Sequence, residues 1–425
     1  MNLLVELLLI FLLLCVFRVP IAFSLGVSSL IVILQAGISA QQVVIQIFKG
    51  LGLFPLLAIP FFILAGNIMN YAKITDDLVR LAQALVGRIP GGLGHVNVLT
   101  SMIFGGISGS STADVSATGA VLIPAMKRDG YSGGIAAAIT AASSTMGNLI
   151  PPSLYMIVYG SIAGVSIKAL FLAGIVPGLL VGFSQMIWVY FHARNKNIKV
   201  PEPIGVKETG KIFIKTSPAL LLVIIIIGGI TLGYYTATEA AVIAVLYTLI
   251  LAFFYYRSLT VKTLGKVFAE TSQSTSSILF TIASASIFGW LVAYMDGPKM
   301  VSQWFANVST DPFILLLLIA GLLLILGTFM SEIATIIIFT PIFLQIQEIG
   351  GIDPIHMGVV VVMTLCIGLV TPPLGICLLI ASQIAEVRFI TAVRAAMPLI
   401  GVFILTILIV IIFPKVVLFI PNIAP

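Results

Sequence analysis

The chain has 425 residues, 60% of them apolar and only 8% charged, with a formal net charge of +6. A water-soluble surface cannot be built from so few charges, so a soluble globular protein is excluded and an all-α polytopic membrane protein is expected. The positive excess sits in short connections rather than on one basic face, which argues for membrane orientation and against a nucleic-acid partner.

The first apolar run, Leu3 to Phe17, ends at Arg18-Val-Pro, where proline removes a donor and constrains the residue before it. It has neither a basic leader nor a small-residue cleavage site, so a retained span is expected rather than a signal peptide. Further runs follow at Ala22–Leu34 and at Phe54–Met69, the latter with Pro60 inside it. Between Lys73 and Arg88, the residues Ile74, Leu78, Leu81, Leu85 and Val86 fall near helical spacing, which predicts an amphipathic helix at the membrane interface. Pro90-Gly-Gly-Leu-Gly is a turn signal that leads into Phe104–Met126.

Phe104–Met126 is the most unusual stretch of the chain. Ser108, Gly109, Ser110, Ser111, Thr112 and Asp114 interrupt an otherwise oily sequence. Non-helical backbone is tolerated at membrane depth only where protein buries it or a cavity hydrates it, and a carboxylate there is expensive. The stretch therefore predicts the tip of a re-entrant hairpin. After the polar turn Lys127-Arg-Asp-Gly comes a small-residue helix, Gly133–Thr145, able to approach its neighbours closely. It breaks at Gly147-Asn-Leu-Ile-Pro-Pro-Ser.

Spans are then expected at 169–191, 213–233, 237–256, 272–295, 313–330, 355–370 and 396–413. The connection His192–Lys215 carries Arg194, Lys196, Lys199, Lys207, Lys211 and Lys215 against Glu202 and Glu208, which places it in the cytoplasm. Cys15, Cys366 and Cys377 lie in apolar segments without ligand spacing, so neither disulfides nor zinc are expected.

The interruptions repeat. Ser110 to Pro124 in the first half has the same length as Gly327 to Pro341 in the second. Gly147 precedes Pro151-Pro152 by the same interval that separates Gly368 from Pro372-Pro373. Paired glycine- and proline-interrupted segments at corresponding positions of two halves are the best sequence pointer to a transporter site. A broken helix exposes carbonyls that suit Na⁺, and the amide end of its other half suits a carboxylate. One Na⁺ site is expected from Ser108, Ser110, Gly147, Ile150 and Pro152, and its counterpart from Gly327, Thr328, Gly368 and Thr371. Asp114 and Glu332 are the acids nearest the two tips; each could bind a cation, carry a proton or cap a half-helix. Glu239, after Thr236-Ala-Thr, is expected either to cap its helix or to reach a loop, and is left outside the site.

An enzyme reading is weaker. Gly106-Ile-Ser108-Gly109 is similar to the signature of rhomboid-type intramembrane serine proteases, but a serine nucleophile needs a base within hydrogen-bond reach. The three histidines, His95, His192 and His356, fall in or beside predicted loops. No phosphate-cradling loop is present, so ATP hydrolysis is not expected. A channel is the remaining class, distinguished by lack of saturation and coupling.

Several stretches together carry a resemblance to a known family. They are Arg18-Val-Pro-Ile-Ala-Phe-Ser-Leu-Gly, Ile59-Pro-Phe-Phe-Ile-Leu-Ala-Gly, Gly87-Arg-Ile-Pro-Gly-Gly-Leu-Gly and Gly106-Ile-Ser-Gly-Ser-Ser-Thr-Ala-Asp. Ile123-Pro-Ala-Met with Gly130-Tyr, Ile150-Pro-Pro-Ser and Gly368-Leu-Val-Thr-Pro-Pro-Leu-Gly complete the set. In order and over nearly the whole length, the chain resembles the large membrane subunit of tripartite ATP-independent periplasmic (TRAP) transporters of the DctM or SiaM type. The resemblance implies a multi-pass protein of the bacterial inner membrane that imports an organic acid, a C4-dicarboxylate or a sialic acid, by Na⁺ symport. It also implies a small membrane subunit of the DctQ or SiaQ type, and a periplasmic binding protein of the DctP or SiaP type that delivers the solute. A stand-alone divalent-anion/Na⁺ symporter of the same inverted-repeat design is the alternative.

The family's elevator-type design implies scaffold helices and an interfacial arm over residues 1–90, with the first re-entrant hairpin and broken helix of a transport domain over 91–165. Central scaffold helices would follow over 166–265 and a second-repeat scaffold region over 266–310. The second hairpin and break would occupy 311–390, and a C-terminal helix 391–425. Ser111, Thr112, Asn148, Gln273, Ser274 and Pro373 are the residues expected near the solute, where Gln273 and Ser274 could hydrogen-bond a sugar acid or simply pack helices. Two departures from the family pattern stand out. The second tip reads Gly327-Thr-Phe-Met-Ser-Glu, where relatives often carry Asp-Pro, and Glu270-Thr-Ser-Gln-Ser-Thr lacks the basic side chain many relatives place there.

Overall fold

The structure is a computed structural model that describes residues 3–72, 74–196, 198 and 204–423. Lys73, Lys199 and Glu202, named above among the loop charges, lie outside the described residues. Every regular element described is helical, and seven segments are long and apolar enough to cross a membrane. The protein is a multi-pass α-helical membrane protein.

The N-terminal half begins with α1 (Leu3–Val16) and α2 (Ile21–Gln35), separated at Arg18-Val-Pro as the proline requires. The short amphipathic α3 (Gln41–Leu51) follows, which the sequence reading passed over. A 3₁₀ turn at Phe54–Leu57 runs into α4 (Ala58–Tyr71), and α5 (Ile74–Val86) is the predicted amphipathic helix. Its stripe is buried at Ile74, Leu78 and Leu81, but Leu85 is exposed, and the buried side meets protein in the helices on either side of it in space. Those helices are α6 (Gly92–Ser108) and, further along the chain, α11.

The first hairpin is α6 with α7 (Ser111–Arg128), joined by a turn of only Gly109 and Ser110. Next, α8 (Gly133–Ser144) passes through a 3₁₀ turn at Thr145–Asn148, breaks across the two prolines, and resumes as α9 (Leu154–Ala163). α10 (Ile167–Lys196) and α11 (Val206–Thr231) follow. The basic connection expected at 192–215 is therefore mostly helical: Arg194 and Lys196 end α10, whereas Lys207, Glu208, Lys211 and Lys215 begin α11. Cations in a last turn complement the helix dipole, which extends α10 past its apolar run. Lys215 pairs with the buried Asp77 of α5 at 2.8 Å, the one ion pair among the described residues.

The C-terminal half repeats the plan. α12 (Ala237–Ile250) is capped reciprocally by Thr236 and Glu239, which confirms the capping reading of that acid. A π-turn at Leu251–Tyr255 leads to α13 (Val261–Tyr294), which starts well before the expected span at 272. The short α14 (Gly297–Val308) stands before the second hairpin as α5 stands before the first. That hairpin is α15 (Pro312–Leu326) with α16 (Glu332–Gly350). α17 (Pro354–Gly368) breaks across Leu369–Gly375 and resumes as α18 (Ile376–Ile384). α19 (Phe389–Ile412) and a short α20 (Pro414–Ile423) complete the chain.

Burial separates two populations of helix. Every residue from His356 to Val370 is buried, and so is every residue from Ala136 to Gly160 except Ile150. Helices apolar or small on all sides belong to a protein interior, so the two broken helices form the centre. α1 instead exposes Val5, Leu8, Leu9, Leu12 and Leu13, and α11 exposes Phe213, Ile214, Leu221 and Ile224, as lipid-facing helices do. The halves also exchange partners: α9 of the first packs on α16 of the second, and α18 of the second packs on α7 and α8 of the first.

Candidate functional site

The first tip is closed by glycine. Gly109 adopts φ 60°, a left-handed conformation that glycine takes without steric cost, and so ends α6. Ser110 then caps α7, its Oγ accepting from Ala113 N at 3.4 Å, so the capping role considered for Asp114 belongs to Ser110. Against this turn lies the break between α8 and α9. A Cβ on Gly147 would sit 3.1 Å from the Ser110 carbonyl carbon and oxygen, and one on Gly109 would sit 2.7 Å from the Pro152 oxygen. A Cβ on Gly105 would sit 3.0 Å from the Gly147 Cα. Ser108, Ser110, Gly147 and Pro152 are thus brought together. Ser111, expected near the solute, is buried, and its hydroxyl donates to the Thr145 carbonyl at 3.4 Å, tying tip to break. The Ile150 side chain turns toward Gly178 of α10.

The second tip, with a longer turn and a right-handed Gly327, also meets its helix break glycine to glycine. A Cβ on Gly368 would lie 2.5 Å from the Gly327 carbonyl oxygen. The Thr328 and Thr371 hydroxyls donate to Ile325 O at 2.7 Å and Ile367 O at 2.8 Å, which leaves their oxygen lone pairs available as acceptors. Both tips therefore concentrate carbonyl and hydroxyl oxygen where missing side chains let backbone approach backbone. That donor set suits a hard cation and offers no nitrogen or sulfur ligand.

The two acids have different surroundings. Asp114 is fully buried, and neither carboxylate oxygen has a hydrogen-bond partner among the described residues. Ser101 and Thr118 lie beside it, but Thr118 donates to the Asp114 carbonyl at 2.8 Å and Ser101 is engaged with Ser143 at 3.1 Å. From there a buried polar chain continues through Ser143 to Asn97 at 3.2 Å and on to Thr140 at 2.6 Å. Glu332 is also buried and interacts with Tyr155 at the start of α9, across the boundary between halves.

A cavity of about 380 Å³ opens beside the first tip, bounded by α4 and α13. Its tip wall is formed by Ser108, Ser110, Thr112 and Ser116. The opposite wall carries Asn67 and Asn70 of α4 with Glu270 and Ser274 of α13. Asn67 donates to Thr271 at 2.9 Å, the Tyr71 hydroxyl donates to Glu270, and Asn70 Oδ1 is buried without a partner. Of the residues expected near the solute, Thr112 and Ser274 line this cavity. Asn148 is buried in the break, with its carbonyl accepting from Ser153, while Gln273 and Pro373 are exposed outside the cavity wall. Asn67, Asn70 and Glu270 were not expected. Two asparagines one turn apart in the apolar α4 were the available signal. A larger cavity of about 670 Å³ lies elsewhere, at the Gly164–Lys168 and Gly233–Glu239 connections, and includes no tip residue.

None of the three histidines stands within hydrogen-bond reach of Ser108. His95 sits at the far end of the same helix, about 20 Å away along its axis, and contacts Pro90 O at 3.0 Å. His356 contacts Val410 O at 2.9 Å, and His192, inside α10, stacks on Trp188.

Residues 8–416 match the family model described as the tripartite ATP-independent periplasmic transporter, DctM component. The chain is 37% identical to the sialic acid TRAP transporter large permease protein SiaM of Vibrio cholerae serotype O1, over 95% of both chains. It is 38% identical to the C4-dicarboxylate TRAP transporter large permease protein DctM of Pseudomonas aeruginosa, over 94% of both. Among solved structures it is similar to the Alcanivorax borkumensis YdaH transporter, with a TM-score of 0.64 over 96% of this chain and 98% of that one. Sequence identity there is 14%, so that likeness concerns the fold alone.

Proposed function

The chain belongs to the DctM family of TRAP transporter large permeases, a transport family and not an enzyme family, and from that premise we propose that it imports an organic acid by Na⁺ symport. The observation that carries the reading is the closing of each hairpin on a helix break through glycine, at Gly147 with Ser110 and at Gly327 with Gly368. Carbonyl oxygens held in fixed positions by backbone contact can replace the hydration shell of a small cation at membrane depth.

In this reading the hairpins are re-entrant, and they move with the broken helices as a transport domain. The lipid-facing helices form the scaffold of an elevator in the bacterial inner membrane. One Na⁺ is held by Ser108, Ser110, Gly147, Ile150 and Pro152, a second by Gly327, Thr328, Gly368 and Thr371, with Asp114 close to the first. The cavity beside the first tip holds the solute. A small membrane subunit completes the scaffold, and a periplasmic binding protein delivers the organic acid. Relatives named for sialic acid and for C4-dicarboxylates support an organic acid as the solute.

The test is uptake into vesicles holding this chain with its small subunit, with the binding protein outside. Uptake should stop when the Na⁺ gradient is collapsed and when the binding protein is withheld. Uptake that survives loss of the gradient refutes the coupling. Uptake of free solute without the binding protein supports the stand-alone symporter instead.

A further inference from the structure

The walls of the cavity beside the first tip differ in chemistry, and the difference bears on which organic acid fits. The tip wall offers the hydroxyls of Ser110 and Thr112, 3.1 Å from each other, and the opening turn of α7, an 18-residue helix whose amides ahead of Ala113 favour an anion. The wall opposite offers acceptors. Glu270 is held by the Tyr71 hydroxyl through Oε1, which leaves its other oxygen free, and the buried Asn70 Oδ1 has no partner. No lysine or arginine is among the residues lining the cavity. Lys266, one turn earlier on α13, is exposed and forms no ion pair with Glu270 among the described residues.

We infer that this cavity selects a monocarboxylate bearing hydroxyl or amide hydrogen-bond donors, its carboxylate toward the α7 tip and its donors toward Glu270 and Asn70, and that it disfavours a dicarboxylate. A second carboxylate reaching the α13 wall meets the negative charge of Glu270 with no cation to offset it, and like charges at such distances repel. A donor in the same place satisfies an acceptor that otherwise has none. The inference rests on the proposal that this cavity is the solute site.

The experiment uses the full chain alone in detergent, because a binding protein would impose its own selection before the membrane site is reached. Thermal stabilisation in Na⁺ buffer and in choline buffer is read with three probes: succinate, gluconate and N-acetylneuraminate. Gluconate or N-acetylneuraminate should stabilise the chain in Na⁺ at concentrations about tenfold or more below those at which succinate acts. Glu270→Gln keeps the shape and the acceptor for Tyr71, so it should fold, and it should narrow that ratio to about threefold or less by improving the response to succinate. Succinate acting at equal or lower concentration on the wild type overturns the inference. So does a ratio unchanged in Glu270→Gln, or a chain stabilised by Na⁺ but by neither monocarboxylate. If Na⁺ itself has no effect against choline, the proposed coupling fails instead.

Discussion

Substituting Gly368 by alanine tests the central geometric claim at the second tip. The added methyl would lie 2.5 Å from the Gly327 carbonyl oxygen and 2.9 Å from its carbonyl carbon. A carbon–oxygen contact is comfortable only at about 3.3 Å or more, so tip and break must separate by roughly 0.8 Å. The obstacle is backbone on both sides, which cannot swing away as a long side chain can. Overpacking of this kind costs about 1–3 kcal/mol, equivalent to a change of roughly five- to 150-fold in an equilibrium constant. If the Gly327 carbonyl contributes to a cation site, that cost is expressed as a higher Na⁺ half-saturation for uptake, together with a lower melting temperature. Gly321→Ala is the matched control. It lies in α15 of the same hairpin with nothing within 4 Å of its Cβ position, and glycine to alanine in an open helix interior is favourable by about 0.5–1 kcal/mol. Na⁺ titrations of uptake and melting curves of both variants settle the matter. A Gly368→Ala protein with the Na⁺ half-saturation and melting of Gly321→Ala would refute the reasoning.

Three further predictions follow from single contacts. Asp114→Asn removes a buried carboxylate that makes no hydrogen bond, so melting should be nearly unchanged while uptake falls further than in Glu332→Gln; equal losses of uptake, or a large loss of stability, contradict this. Ser110→Ala should lower stability by about 1 kcal/mol through loss of the α7 cap, whereas Ser110→Asn should restore melting but not the Na⁺ half-saturation, and recovery of both would remove the hydroxyl from the ion site. Lys215→Met strands the buried Asp77 carboxylate and should destabilise the chain by about 1 kcal/mol; the double variant with Asp77→Asn should melt higher than Lys215→Met alone, and additive losses would show the pair to be inert.

How much of this was legible in the sequence depends on the kind of contact. The tips were, because glycine in an oily helix is itself a statement about backbone approach, and Gly147 and Gly368 stand at matching places before matching prolines. The breaks and the capping box at Thr236 and Glu239 were legible for the same reason, being set by residues within a few positions of one another. The cavity wall was not. Asn67 and Glu270 belong to α4 and α13, about two hundred residues apart, and no local pattern says that both face the first tip. Gln273 shows the converse. It shares a helix with Ser274 but projects one residue away around it, so only Ser274 reaches the cavity. The length of α10 was missed because charged residues were counted as loop, when Arg194 and Lys196 in its last turn favour continuing the helix; at the start of α11 only Glu208 has the favourable sign.

The reciprocal packing of the halves explains why the two tips are best regarded as one assembly. α9 begins at the first break and carries Tyr155 to Glu332 at the second tip. α18 begins after the second break and packs on α7 and α8, the helices that form and back the first tip. Each break thus supplies a wall to the opposite hairpin as well as to its own. A buried interior at close-packed density transmits displacement rather than absorbing it. Separating Gly327 from Gly368 therefore presses on residues that also bound the first tip through α18, and separating Ser110 from Gly147 presses on Glu332 through α9. The arrangement leaves little room for one tip to open while the other stays closed. Comparing Gly147→Ala, Gly368→Ala and the double variant by Na⁺ titration examines this directly. Non-additive shifts in half-saturation are expected, and strict additivity would mean that the tips act separately.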